Sequence, residues 1–553
     1  MAHIDFQKIK YDDQGNITSG SASIRDTVYD KNVKGRCTHP LIEKLGKVLW
    51  ISEDRKSGIF QSPTRGLVEY DVLKNSFSDV DRNDPRISVT DLFQEPLVHT
   101  VFGDAYLILQ FMQKCGLIEL LRKVFSQSKD YERVLCHLIH SLARNGSKIS
   151  RDDYTAKSFL SYLLPNIPVA SLGSDTAYFT MMGRDDIKLR FFKDFVKMMR
   201  KRHPSFGNCC YIDSTPLPND ISDNPFNALC SHGIGSVGIQ TRMILVLDEE
   251  TGLPVWFQTI AGNVLDLSTI NSVRDNLKEQ LDIDIYHMVL DAGYVTKDLI
   301  TQYHLDSEPV LDDNAEEHQR LSIGKMPAKK GFPYKTLYHQ VQKLIPNAKY
   351  EFIRGSHSYF GVRKTIEIFG KREYAYIYVD KDNALHLGRK WRLENEELYQ
   401  GMTDKEKNWY SVKSGYFILL SNEDTTPAAL LDEYFGRTRI ETVFKTAKEY
   451  LQLLPLSKWT IDTVSGKLLS DCISTIIYLM IQKKLDGSKI TMTRLLGQTQ
   501  SLMCMKTRDG VIRVETANKQ ARAVFKALGI QVPSNFRLDD YCKNTLSIDL
   551  RPT

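Results

Sequence analysis

The order of apolar and polar positions divides the chain into segments of different periodicity. Residues 1–100 carry short runs of β-branched and aromatic residues separated by Gly and Pro, a pattern typical of strands and turns. From 101 to 205, apolar residues recur every three or four positions, which predicts helices. We expect this segment to be a DNA-binding region. The last of these helices, Arg184–His203, has one apolar side and one strongly basic face. That face is either solvated or in contact with phosphates.

A different pattern begins at 206. CCYIDSTPL is a short apolar strand that ends in an acidic residue, and two strands joined by a turn near 250–252 follow it. A helix, a further strand (DIYHMVLDAGY) and another helix complete residues 206–314, and this alternation predicts a mixed α/β sheet. Residues 315–415 interrupt it with a run of strands, so we expect a β-rich insertion. The core resumes over 416–455, and 456–553 is predicted to be helical.

The long helix within 416–455 carries the most informative pattern. It has a suitable N-cap in Thr426, with Pro427 at the first helical position. At about 100° per residue, four polar side chains share one narrow stripe beside an apolar stripe. The row consists of Tyr434, Arg437, Glu441 and Lys448. Gly436 interrupts the helix at a local cost of about 1 kcal/mol, and it would let another backbone approach closely.

The row also has an ordinary interpretation. Glu441 and Lys448 would then be surface charges, and Arg437 with Glu441 an i,i+4 pair worth a few tenths of a kcal/mol. Two acidic residues at strand ends, Asp213 and Asp291, favour a functional interpretation because sites in α/β sheets gather at the carboxyl ends of strands. For the first position, Asp220 and Asp223 remain rivals to Asp213.

Three converging carboxylates would repel one another unless a cation joined them. Hard oxygen ligands favour Mg²⁺, and two such ions activate an attacking oxygen and stabilise a leaving one in phosphodiester displacement. Asp213, Asp291 and Glu441 are therefore the candidate metal ligands, with Mn²⁺ as a possible substitute. Tyr434, Arg437 and Lys448 would hold a phosphate beside the metal.

These residues resemble a known family. The spacing of the Tyr-Arg-Glu-Lys row is similar to the signature of bacterial insertion-sequence transposases of the insertion sequence four superfamily, which use a DDE triad. IDST at 212–215 and LDAGYVTKDLI at 290–300 resemble that family's two aspartate regions, and GLPVWFQTIAGNVLD at 252–266 resembles the stretch between them. The resemblance covers residues 208–455, and the 150 residues between Asp291 and Glu441 suit the β-rich insertion of that family.

The resemblance implies a ribonuclease-H-like core with Asp213, Asp291 and Glu441 binding two Mg²⁺ ions. Water would cleave the phosphodiester at an element end, and the released 3′-hydroxyl would attack target DNA. Arg437, Lys448 and Tyr434 would contact terminal phosphates. The implied partners are double-stranded DNA, both element ends and target, and a second copy of the chain that bridges two ends.

Trp391, between basic residues in the insertion, stacks on a displaced base or serves as a buried anchor. His232 and His287 have no partner at metal-ligand spacing, so we expect structural roles for both. The adjacent Cys209 and Cys210 precede Asp213 within a strand, and their alternating directions indicate packing.

Composition narrows the possibilities only a little. The net charge of +5 is too mild to indicate nucleic acid by itself. Nine cysteines without a Cys-x-x-Cys pair indicate free thiols in a reducing cytosol. The apolar stretch Leu468–Ile481 is too short to span a bilayer and predicts a buried helix. The N-terminus has no apolar signal segment. We therefore expect a cytoplasmic, nucleoid-associated protein.

Two other functions remain open from the sequence. One is an inactive or domesticated DNA-binding protein, against which the intact acidic triad argues. The other is a ribonuclease-H-like nuclease without strand transfer, which would have no need for a row that grips an element end.

Overall fold

The computed structural model divides into two units, Met1–Val98 and His99–Thr553. It describes residues 2–11, 17–29, 37–81, 84–87, 99–144, 149–164, 175–219, 221, 224–230, 238–264, 269–311, 317–451, 453–454, 456–507 and 510–548.

The first unit is an antiparallel sheet, which confirms the strands expected there. Its strand order is β1-β2-β5-β6-β7-β8, and β3 pairs with β4 separately. The strands are β1 (His3–Tyr11), β2 (Ile17–Arg25), β3 (Val28–Tyr29), β4 (Cys37–Thr38), β5 (Leu41–Ile51), β6 (Ser57–Ser62), β7 (Gly66–Asp71) and β8 (Ser76–Asp79). Leu45, Val48, Phe60 and Tyr70 are buried in its core.

The second unit begins with a short strand and seven helices, as the three- and four-residue periodicity predicts. They are β9 (His99–Val101), α1 (Gly103–Cys115), α2 (Leu117–Val124), α3 (Ser128–Ala143), α4 (Arg151–Lys157), α5 (Leu160–Leu163), α6 (Asp175–Met182) and α7 (Asp185–Arg200). The amphipathic α7 buries its predicted apolar side. One residue of its basic face differs from expectation. Lys188 lies 4.0 Å from the ring centre of Trp256, and burial lowers the pKa of its ammonium to about 7.

A ten-stranded mixed sheet forms the centre of the second unit. Its order is β11-β12-β10-β14-β17-β21-β20-β19-β18, with β13 paired to β12. The strands are β10 (Cys209–Pro218), β11 (Ala228–Cys230), β12 (Gly238–Asp248), β13 (Pro254–Ala261), β14 (His287–Leu290), β17 (Leu321–Lys325), β18 (Glu351–Arg354), β19 (His357–Ile368), β20 (Lys371–Asp380) and β21 (Tyr416–Ser421). A separate pair is β15 (Val310–Leu311) with β16 (Glu317–His318). The mixed α/β sheet expected from the alternating elements is confirmed.

Helices cover and extend this sheet. They are α8 (Ile270–Leu281), α9 (Lys297–Gln302), α10 (Tyr334–Val341), α11 (Lys381–Glu394), α12 (Glu396–Gln400), α13 (Asp404–Val412), α14 (Pro427–Gly436) and α15 (Thr438–Lys445), with single 3₁₀ turns at Ala292–Tyr294 and Ala348–Tyr350. Within 315–415, the expected strands continue the central sheet through β20 and β21. The same segment also contains the four helices α10 to α13.

The C-terminal region contains strands as well as the expected helices. Its elements are α16 (Ile461–Leu485), α17 (Met492–Thr499), β22 (Met503–Lys506), β23 (Val511–Val514), α18 (Lys519–Ala527), β24 (Asn535–Arg537) and α19 (Leu538–Tyr541), followed by a π-helical turn at Cys542–Leu546. The three strands form a sheet with β9. Each has only three or four residues, too few to show a two-residue alternation in the sequence.

Helix α16 contains the apolar stretch singled out in the sequence. By length and mean hydropathy it is the one helix among the described residues that could cross a membrane, and 72% of its most apolar window is buried inside the protein. Core helices of soluble proteins meet the same criteria, so the burial agrees with the predicted core helix. Asp471 within it pairs with Lys467 at 3.0 Å.

Two glycines allow α16 to approach α6 closely. A methyl group at Gly466 would overlap the backbone oxygen of Phe179, and one at Gly183 would overlap that of Asp462. The contact is therefore between backbones, where no flexible side chain can move aside.

We predict that Gly466→Ala lowers the free energy of unfolding by roughly 1–3 kcal/mol, because overpacking forces the two helices apart. Gly497→Ala in α17 is the control, since a methyl group there meets open space. That change should leave stability unchanged or raise it by roughly 0.5–1 kcal/mol. Urea denaturation of both variants checks this, and equal effects would contradict the close helix contact.

Candidate active site

Two aspartates lie side by side at one level of the central sheet. Strands β10 and β14 are parallel, and the last pair in their register is Ile212 with Leu290. The next residues are Asp213 and Asp291. Because neighbouring strands are about 4.8 Å apart, these two carboxylates start from adjacent backbone positions. The apolar stretches before them are buried and hold the register in place.

The position of Asp213 corrects one detail of the sequence interpretation. Asp291 does follow the end of its strand, but Asp213 lies within β10, which continues to Pro218. The reason is that β10 has a second neighbour. Its antiparallel pairing with β12 extends to Pro218 opposite Gln240, beyond the point where β14 stops.

The predicted long helix is formed, but not as one regular helix. Thr426 caps α14 by accepting a hydrogen bond from the amide of Ala429, and Pro427 is the first helical residue, as expected. Arg437 forms a turn between α14 and α15, and a π-helical turn at Thr446–Tyr450 follows α15. Tyr434 therefore lies in α14, Glu441 in α15 and Lys448 in the π turn.

The helical row meets the strand carboxylates. The Tyr434 hydroxyl donates to Asp291 Oδ1 at 3.3 Å. Arg437 Nη1 donates to Asp213 Oδ2 at 2.5 Å, and its Nη2 donates to Glu441 Oε1 at 3.4 Å. These three contacts bring together five residues that lie up to 228 positions apart in the sequence.

Lys448 reaches the same strand further along. Its Nζ lies 2.6 Å from Thr215 Oγ1 and 2.9 Å from the backbone oxygen of Pro216. Burial lowers the pKa of this ammonium group. Lys448 thus contacts β10 at Thr215 and Pro216, which follow Asp213 by two and three residues. A phosphate placed there would compete with these neutral oxygens for the ammonium group of Lys448.

Burial and like charge perturb Asp213. Its side chain is 17% exposed, that of Arg437 is 13% exposed, and that of Glu441 is 58% exposed. Burial raises the pKa of Asp213 to about 6, and the negative charges of Asp291 and Glu441 add to this, while Arg437 opposes it. For Arg437, burial disfavours the charge, but Tyr434 and the carboxylates outweigh it and raise the pKa of the guanidinium.

The donor set suits a hard divalent cation. Three carboxylates supply oxygen ligands of the kind that Mg²⁺ and Mn²⁺ prefer. Burial and, to a smaller extent, the neighbouring carboxylates raise the pKa of Asp213, and a bound cation would oppose that shift. In the described part of the chain, however, the oxygens of these three carboxylates do not all lie within 4.8 Å of one another.

Three other groups do meet that distance. They are Cys209–Glu249–His287, His287–Glu423–Glu433 and His357–Asp380–Asp382. His287 belongs to two of them, which the sequence did not indicate because its carboxylate partners are remote along the chain. The thiol of Cys210 is buried, as its predicted packing role requires.

Gly436 has an identifiable purpose. A methyl group at this position would overlap the hydroxyl of Tyr211 on β10. The close approach anticipated for this glycine is therefore made by a side chain from the strand that carries Asp213.

Trp391 lies on α11 of the insertion. Its ring is partly buried and stacks on Tyr410 with centroids 4.3 Å apart and planes 19° apart. The small cavity beside it is lined by residues between 384 and 411, none of which belongs to the carboxylate site. Base stacking by Trp391 stays a prediction. Asp220, Asp223 and His232 lie outside the described residues.

Comparison with known protein families finds one matching domain. Residues 205–476 match the family model described as Transposase DDE domain. This segment is similar to a transposase DDE domain. The match spans Asp213, Asp291, Glu441 and the polar row, and it supports a DDE transposase.

No curated protein matches the chain. Among solved structures, a piggyBac transposase synaptic complex with hairpin DNA is similar at a TM-score of 0.33 and 11% sequence identity, over 82% of this chain and 87% of that chain. A likeness at that level carries no argument about fold or function.

The raised pKa of Asp213 leads to a prediction about stability without metal. Because the folded state favours protonated Asp213, stability is fully present below the ordinary pKa of 3.8 and is lost as the pH rises to about 6. The Asp213→Asn variant does not ionise at this position, so it avoids this loss of stability. At pH 8 and with a chelator present, we expect this variant to be more stable than the wild type by up to about 3 kcal/mol.

The difference should shrink as the pH falls toward about 4, which urea denaturation across this range would show. Glu441→Gln is the matched control because its side chain is mostly exposed, so its effect should be small at every pH. A lower stability of Asp213→Asn at pH 8 would contradict the electrostatic account.

Proposed function

We propose that this protein is a DNA transposase of the insertion sequence four superfamily that cleaves element ends and transfers the strand to target DNA. The observation that carries the proposal is the meeting of Asp213, Asp291 and Glu441 with Tyr434 and Arg437 in one site. That site lies inside the segment that matches a transposase DDE domain.

Asp213, Asp291 and Glu441 would hold the Mg²⁺ ions. When bound, the ions supply activation of an attacking oxygen and stabilisation of the leaving oxygen. The chain's own contribution is to gather three carboxylates at a partly buried position, where Asp213 is ionised only above about pH 6 in the protein alone. Mn²⁺ would serve in place of Mg²⁺, since both prefer carboxylate oxygens.

The polar row would hold the DNA backbone. A guanidinium binds phosphate through two parallel hydrogen bonds, and an ammonium binds it as a point charge. In the protein alone, Arg437 contacts Asp213 and Glu441. With these carboxylates neutralised by bound cations, Arg437 would be free to bind phosphate. Tyr434, ordered by its contact with Asp291, would donate to the same group.

The strand order supports a ribonuclease-H-like core. Strands β13, β12 and β10 form an antiparallel meander, β14 is parallel to β10, and β17 is parallel to β14. The proposed core spans 206–314 and 416–455 and takes in β17 (Leu321–Lys325) from the start of the predicted insertion 315–415. Double-stranded DNA and a second copy of the chain are the proposed partners, in a bacterial cytoplasm.

Metal-dependent cleavage of a labelled element end tests the proposal. The substrate is the terminal inverted repeat that flanks the gene. Asp213→Asn, Asp291→Asn and Glu441→Gln should each lower the cleavage rate by more than about a hundredfold, because the metals supply several kcal/mol of stabilisation. Binding to the end should survive, since DNA affinity comes mainly from basic side chains.

Glu449→Gln is the control, a charge loss on the same helical segment with a side chain that is 69% exposed. It should cleave at the wild-type rate. Cleavage by all three variants at that rate would refute the assignment of the site. Wild-type cleavage without joining to target DNA would indicate the nuclease alternative, and specific binding without cleavage the inactive one.

The phosphate role of Lys448 has its own test. Lys448→Gln should reduce the slope of log affinity against log salt by about 0.9, the value for one lost phosphate contact. Lys445→Gln removes the same charge from a side chain that is 72% exposed and pairs weakly with Glu449 at 3.9 Å. An equal loss of slope in both variants would indicate general charge rather than a phosphate site at Lys448.

A further inference from the structure

A buried histidine lies behind the carboxylate site. His287 is the first residue of β14, the strand that leads to Asp291, and its side chain is 9% exposed. Its Nδ1 lies 3.0 Å from Glu249 Oε2, and its Nε2 lies 2.8 Å from Glu433 Oε1. Both ring nitrogens therefore face carboxylates. Two facing carboxylates favour protonation of both nitrogens, so the imidazolium is the favoured form of the ring.

The two carboxylates belong to different elements. Glu249 follows β12, in the turn next to the beginning of β10, and Glu433 precedes Tyr434 in α14. The imidazolium thus links the strand that leads to Asp291 with the helix that carries Tyr434. We call Glu249, His287 and Glu433 the imidazolium bridge.

Glu249 extends the bridge to the other two site elements. The hydroxyl of Tyr211, two residues before Asp213, donates to Glu249 Oε1 at 3.3 Å. Arg439, two residues before Glu441, donates from Nη1 to the backbone oxygen of Glu249 at 2.7 Å. All three carboxylates of the site therefore lie two to four residues from a group that belongs to the bridge or contacts it.

We propose that the imidazolium bridge is a positioning network that holds α14 and α15 in register with β10 and β14, so that Asp213, Asp291 and Glu441 converge. The bridge acts on the three site carboxylates indirectly, through Tyr434, Tyr211 and Arg439. The inference deepens the proposed function and rests on it for the readouts that use DNA.

The charges around the ring decide how the bridge responds to pH. The titratable groups that face it are Cys209 on β10, Glu249 after β12, Glu433 on α14 and Glu423 after β21. Burial alone would lower the pKa of His287, but hydrogen bonds with Cys209, Glu249 and Glu433 outweigh it and raise the pKa well above the ordinary 6.5.

The pKa of Glu249 shifts in the opposite direction. Burial would raise the pKa of its carboxyl, but His287 outweighs this and lowers it. Burial and the charge of Glu433 raise the pKa of Glu423 to about 7. The contribution of His287 is therefore fully present below its ordinary pKa of 6.5 and is lost as the pH rises through its elevated pKa, whereas that of Glu249 is present above its ordinary pKa of 4.5 and is lost as the pH falls.

The test begins with hydrogen exchange in the DNA-free protein, which does not depend on the proposed function. His287→Gln should increase amide exchange in α14 and α15 at least about tenfold over the wild type, because breaking the bridge opens them locally. His357→Gln is the matched control. His357 also faces a carboxylate, Asp380 at 2.9 Å, but lies in the insertion. It should leave exchange in α14 and α15 unchanged.

A double-mutant cycle separates charge from packing. His287→Gln leaves the partly buried Glu433 without its imidazolium partner, whereas adding Glu433→Gln removes that charge. The double variant should therefore regain much of the protection that His287→Gln alone loses. Should the two effects simply add, or should His287→Gln leave α14 protected, the positioning role is refuted.

Activity readouts come second. With an element end as substrate, His287→Gln should lower kcat by roughly ten- to a hundredfold, as small misplacements of reacting groups do, with KM for DNA nearly unchanged. The wild-type rate should also fall at alkaline pH along a limb that His287→Gln lacks.

If the wild type shows no cleavage, the proposed function fails while the exchange result still decides the bridge. Stoichiometric zinc that copurifies with the wild type and is lost in Cys209→Ser would overturn the bridge and make the cluster a metal site.

Discussion

The site depends on keeping three carboxylates together while one of them is largely removed from water. Arg437 makes this possible in the protein alone, since its guanidinium contacts Asp213 at 2.5 Å and Glu441 at 3.4 Å. The compensation is incomplete, because the pKa of Asp213 still rises to about 6. A site that remains short of positive charge is one that gains from binding divalent cations.

Strand register is the second constraint, and it is less tolerant than charge. Asp213 and Asp291 are neighbours only because β10 and β14 pair from Cys209 with His287 to Ile212 with Leu290. A slip of one residue would turn the Asp213 side chain to the other face of the sheet. The buried side chains of both strands oppose that slip, so apolar packing determines where the charges lie.

The sequence was sufficient to predict which polar side chains lie close together and much of the fold. The period of the helix placed Tyr434, Arg437 and Glu441 on one side, and the strand pattern identified Asp213 and Asp291. It could not show that β10 continues past Asp213, because that depends on which neighbour pairs with which part of the strand. The short strands β22 to β24 and the partners of His287 were hidden for a similar reason. Their partners are remote in sequence, and such contacts leave no local pattern.

The irregular path of the helical segment follows from its polar attachments. Five side chains between Glu433 and Lys448 contact the sheet or the turn beside it. Glu433 contacts His287 of β14, Tyr434 contacts Asp291, Arg437 contacts Asp213, Arg439 contacts Glu249 in the turn after β12, and Lys448 contacts β10. At about 100° per residue, a regular helix would hold Glu433, Tyr434, Arg437 and Lys448 on one side, whereas Arg439 would need a change of phase to reach the same face. The turn at Arg437 supplies that change just before Arg439, and the π turn at Thr446–Tyr450 follows. Such irregularities are frequent at functional sites. The segment is therefore shaped more by its charges than by its helix propensity, and what alters those charges will alter its geometry.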